Sequence, residues 1–186
     1  MKYLLLIIIT SFISCQAQTI SLEEAAQCQI NPNCPDFTYA KDINNSLNKY
    51  VGTWKGTFDG KVYEVKFAKK EFQGNDIKDD LLIGRIKITD SNNQIVYNTF
   101  NETDDKKTHF KGLYFQSNLQ AYVMYFSGPW ATSCINRGTV HLFMNINYPT
   151  KMSITYLPQN DITDGDCPST FISTIPEKQT INLIKQ

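Results

Sequence analysis

The sequence predicts an all-β fold, an antiparallel meander of about nine strands closed into a barrel and preceded by one short helix. Three observations carry this expectation. From Tyr50 onward, apolar and polar residues alternate with a period of two; no stretch after residue 30 sustains a helical period; and the alternating runs are joined mainly by short connections. So many strands in one open sheet would expose long unpaired edges, and closure removes them. A two-sheet sandwich is the other arrangement the pattern allows.

The elements follow in chain order. Ser21-Leu-Glu-Glu24 is a capping box, in which the serine hydroxyl and the glutamate each satisfy a backbone donor of the other. It starts a helix of about two turns, stopped by Asn31-Pro32-Asn33. Residues 35–48 are polar and complete a tether spanning 15–48, ahead of a barrel domain at 49–186. Thr53–Phe58 and Lys61–Phe67 form a hairpin around Asp59-Gly60, a pair suited to the positive φ angles of a type I′ turn. Further strands are expected at 82–88, 94–100, 110–115, 120–126, 139–146, 152–156 and 179–184.

The first residues read as an address. Lys2 is followed by the apolar block Tyr3–Ile9 and then by small residues, the pattern of a secretory signal peptide over 1–14. The apolar block is too short for a membrane-spanning helix. Phe12-Ile13-Ser14-Cys15 resembles the lipobox of bacterial lipoproteins, which implies lipid attachment at Cys15. Ordinary cleavage after Ala17 is the competing reading. Either way the expected location is outside the cytoplasm, in the cell envelope or secreted. The chain of 186 residues balances 18 basic against 18 acidic side chains and has no Lys/Arg run, which excludes a nucleic-acid partner.

With Cys15 set aside, four cysteines remain, and an even number in an exported chain reads as two disulfides with three possible connectivities. Cys28 and Cys34 flank a Pro32 turn, so the preferred pairing is Cys28–Cys34 with Cys134–Cys167.

Gly52-Thr53-Trp54, at the start of the first barrel strand, resembles the Gly-x-Trp pattern of lipocalins and the wider calycin barrels. The resemblance implies a lipocalin/calycin-like barrel with Trp54 closing one end under a late cation, for which Arg137 and Lys185 are the candidates. The longer stretch 42–56, together with 83–91, is similar to a family of small exported proteins of Bacteroidetes-type bacteria, a domain of unknown function. That resemblance implies an envelope location and assigns no catalytic residue.

No nucleophile elbow, zinc-binding helix or phosphate loop is present in the sequence. His109 and His141 stand without a partner motif, and the acid pairs Asp79-Asp80 and Asp104-Asp105 fall in expected turns. The polar run Asn160–Asp166 is the nearest approach to a calcium loop, but apolar Ile162 and Phe171 occupy ligand positions, so no metal is expected. What the strands do supply is aromatics.

The expectation is therefore a non-catalytic, lipid-anchored envelope barrel without cofactor, holding a small apolar or amphipathic ligand inside. Trp54, Tyr63, Tyr125 and Trp130 are its candidate ligand-binding residues. The alternative is a protein-interaction or inhibitor module with a solid core, acting through the loops around Trp130 and Cys167.

Overall fold

The computed structural model describes residues 18–74, 76–159 and 165–186. The expected signal peptide, the lipid attachment at Cys15 and most of the Asn160–Asp166 run lie outside the described residues.

The N-terminal segment opens with β1 (Thr19–Ser21), α1 (Leu22–Cys28) and β2 (Tyr39–Lys41). The capping box forms as expected: Ser21 Oγ accepts from the Glu24 amide at 3.1 Å, and the Ser21 amide donates to Glu24 Oε2 at 2.7 Å. Then come β3 (Gly52–Phe58), β4 (Lys61–Gln73), β5 (Lys78–Thr89), β6 (Ile95–Asn98), β7 (Phe110–Phe115) and β8 (Ala121–Ser127). The last three strands are β9 (Arg137–Met144), β10 (Lys151–Pro158) and β11 (Thr180–Lys185).

Eight of these strands close into an antiparallel barrel in the order β5-β4-β3-β11-β10-β9-β8-β7. Two seams complete the ring. Lys185 pairs with Trp54 across β11–β3, and Ile83 pairs with Lys111 across β5–β7. Within the barrel, apart from β6, consecutive strands are neighbours, so the meander is as expected and the sandwich is not formed. The β3–β4 turn has φ of 47° at Asp59 and 69° at Gly60, as a type I′ turn requires.

Three differences from expectation have local causes. The segment read as a tether is packed onto the barrel: β1 pairs with β2, β2 with β5, and Leu22, Ala26, Ala40 and Leu47 join the core. Strands β4 and β5 extend past their alternating stretches. Polar residues pair across that extension, with Lys78 Nζ 2.8 Å from Glu71 Oε1. Strand β9 stops at Met144 because Asn145 begins a turn, its carbonyl accepting from the Tyr148 amide at 2.9 Å, which leaves Ile146 89% exposed.

Both disulfides form in the expected pairing, Cys28–Cys34 and Cys134–Cys167. They fit an oxidising, extracytoplasmic location. Among the described residues no helix is long and apolar enough to cross a membrane.

Candidate functional site

The structure separates the four aromatic candidates. Trp54 is fully buried in the barrel, its Nε1–H donating to the Tyr50 carbonyl at 2.7 Å. Lys185 Nζ lies 5.3 Å from its ring centroid, so Lys185 rather than Arg137 supplies the cation over this tryptophan. Tyr63 is also inside, 2% exposed. Tyr125 is half-buried on β8, between the inward-facing Met124 and Phe126. Trp130 stands 86% exposed in the loop after β8, at the barrel end opposite α1.

The expected ligand site inside the barrel is occupied by core. Phe67, Phe110, Phe126 and Tyr156 meet edge to face in succession, with ring centroids 5.6, 5.5 and 6.1 Å apart. Phe115 and Tyr122 continue this filling toward α1 at 4.9 Å. Two glycines make room for the rings, since a Cβ at Gly84 would strike Phe110 and one at Gly112 would strike the Tyr122 hydroxyl. A barrel of this size is just wide enough for its own side chains to fill. Beneath α1 a cavity of about 50 Å³ remains, lined by Leu22, Ala26, Asp79 and Tyr122 among others. That is room for a water rather than a ligand. Burial there pushes the Asp79 carboxyl above its usual pKa, and Lys111 acts against the shift.

A concavity of ligand size lies at the rim of the α1 end, where β9 turns into β10 beside β11. An open groove of about 680 Å³ runs there. Phe143, Lys151, Ser153, Asn182 and Ile184 contribute outward-facing positions on the three strands, and Tyr148 comes from the turn. Met144, Met152 and Leu183 form its apolar floor, while Gln120 and Asn145 add amides. The turn is held by the Lys151 amide donating to the Tyr148 carbonyl and the Lys185 amide donating to that of Thr150, both at 2.9 Å. Lys151 Nζ sits 5.3 Å from the Tyr148 ring centroid and is the one charged group among the described residues of the lining.

The candidate aromatic residues do not mark this groove, because its defining residues are breaks in alternation. Ile184 follows inward Leu183, and Phe143 follows inward Leu142, yet both are apolar; their exposures are 57% and 37%. Two large apolar side chains on the solvent face, on the strands that flank β10, were the available signal.

His141 Nδ1 is 3.2 Å from Gln116 Nε2 and Nε2 is 3.2 Å from Thr139 Oγ1, an amide and a hydroxyl rather than a carboxylate. Burial pushes its pKa below the usual value. Among the described residues no three His, Cys, Asp or Glu side chains gather as a metal site.

A family model, described as a family of unknown function (DUF6705), matches residues 1–162. No curated protein and no solved structure matches the chain.

Proposed function

The chain belongs to this family of unknown function, and from that premise we propose an exported, lipid-anchored, non-catalytic barrel that binds a small apolar or amphipathic ligand in its rim groove. The carrying observation is the groove itself. Its volume of about 680 Å³ lies within the range of small-molecule sites, and its apolar floor is edged by a few polar groups. Export is supported by the apolar leader after Lys2 and by the two disulfides; anchoring is supported by the lipobox-like run ending at Cys15. The Gly52-Thr53-Trp54 corner under Lys185 supports a lipocalin-like reading of the barrel, with binding moved from the lumen to the rim.

Titration of the purified exported protein with the neutral fluorescent probe N-phenyl-1-naphthylamine tests the groove. Saturable binding is expected, weakened at least about tenfold in a Phe143→Ser/Ile184→Ser double variant, from the apolar area lost at the contact. Binding that is absent, or unchanged in the double variant, overturns the reading. The 86% exposure of Trp130 beside the Cys134–Cys167 bridge favours one other reading, a protein-binding loop. Under that reading the groove variants are silent, and Trp130→Ala abolishes capture of the partner.

A further inference from the structure

We propose that the groove selects an anionic amphiphile, an acyl chain that ends in an acid, with the chain against Phe143, Met152 and Ile184 and the acid at Lys151. This deepens the groove reading above and rests on it. The argument begins with charge. Among the described residues the lining contains one ionic side chain, the Lys151 ammonium, and no carboxylate. A neutral apolar ligand would leave that cation unanswered, and a cationic ligand would meet a like charge.

The nearby cation that could compete is already engaged. Lys55 lies opposite Ile184 in the β3–β11 register, and its Nζ is directed to Glu64 Oε1 at 3.9 Å. Lys185, the residue after Ile184, lies over Trp54 instead. Lys151 has no acidic partner among the described residues. Among the described residues its contact is the exposed ring of Tyr148, 5.3 Å from Nζ, which attracts the ammonium without neutralising its charge.

The polar edge is matched to the same ligand. The side-chain amides of Gln120, Asn145 and Asn182 and the Ser153 hydroxyl can each donate to an acid oxygen. The apolar side is matched as well, because Met144 and Met152 are unbranched and adapt to a flexible chain.

The test is displacement of bound N-phenyl-1-naphthylamine from the exported protein by dodecanoate and by dodecanol, in the native chain and in Lys151→Met. Lys151 is exposed and outside the core, so the variant is expected to keep the native far-ultraviolet circular dichroism spectrum. In Lys151→Met the affinity for dodecanoate is expected to fall about threefold while that for dodecanol stays the same; Lys151→Arg restores the acid. The difference narrows in high salt, as an exposed ion pair requires. Equal losses for the acid and the alcohol, or no loss for either, overturn the proposal while leaving the groove reading intact. Failure of the probe itself to bind overturns both. Dodecanoyl lysophosphatidylglycerol carries a phosphate anion on the same chain; the stronger competitor of the two identifies whether a free acid or a lipid headgroup is the natural source.

Discussion

The two ends of the barrel are both closed, by different physics. At the α1 end the closure is burial. Leu22 and Ala26 of the helix, with Leu47 and Tyr50 from the chain that follows it, pack over the lumen where Trp54 stands. One ion pair lies within this packing: the Asp42 carboxylate, fully buried, is 3.0 Å from Lys69 Nζ, and the Asp42 amide donates to Asp80 Oδ2 at 2.9 Å. At the other end the described residues of the long connections 128–136 and 159–178 include little that is both apolar and buried; Ile175 is the deep exception, while Trp130 and Ile172 point to solvent. Closure there is a covalent bond, Cys134–Cys167, and a polar staple. The Asn136 amide nitrogen donates to the Pro129 carbonyl and meets Thr174 Oγ1, and its oxygen accepts from the Thr174 amide, each at 3.0 Å. A segment rich enough in apolar residues can seal a barrel by itself, whereas a polar loop needs a cross-link.

Three experiments break this contrast, in decreasing order of effect. Trp54→Ala removes the largest fully buried side chain from the α1 end and is expected to lower the free energy of unfolding by about 3–5 kcal/mol, read as a shift in the urea midpoint. A shift under about 1 kcal/mol would mean that the rings around it, not Trp54, seal that end.

Replacing Cys134 and Cys167 together by alanine opens a loop with a sequence separation of 33 and is expected to cost about 3–4 kcal/mol, whereas the Cys28/Cys34 pair, separated by 6, should cost about 2 kcal/mol. The contrast is sharpened by amide exchange. Protection should fall around Gly128, Asn136 and Thr174 in the first variant while residues 20–50 keep theirs; equal loss at both ends would contradict a local cross-link.

Asp42→Ala leaves Lys69 without its carboxylate and is expected to cost about 2–3 kcal/mol. The value is below that for a wholly buried pair because the Lys69 side chain keeps 31% exposure and can turn to water. A double-mutant cycle with Lys69→Met measures the coupling, and additivity would show that the Asp42 carboxylate acts through the Leu47 amide, which donates to it at 3.4 Å, rather than through Lys69.

Much of this architecture was legible from local chemistry. Asp59-Gly60 can hardly serve a two-residue connection other than as a hairpin turn, and Ser21 with Glu24 announces its helix. The cysteine pairing followed from one close pair and one remaining pair. The three-residue strands β1 and β2 were not legible, since each exists only because a distant partner holds it, Thr19 against Tyr39 and Tyr39 against Lys78. Alternation cannot say whether inward rings such as Phe110, Phe126 and Tyr156 meet or enclose space, because that depends on the distance between opposite walls. Here they meet. The groove was hidden for the converse reason. Phe143 and Ile184 belong to strands far apart in sequence, and only β10 lying between them makes one surface of both.

The ring's two seams differ in what each asks of the chain as it folds. Ile83 and Lys111 are joined across a modest loop, whereas Trp54 and Lys185 must find each other across almost the whole barrel domain. Closing the longer loop forfeits more chain entropy before any contact compensates for it. The hairpins can therefore assemble as a curved ribbon early, while the circle waits on the meeting of Trp54 with Lys185. The same tryptophan and lysine that plug one end of the finished barrel are thus the clasp that determines when it becomes a barrel at all.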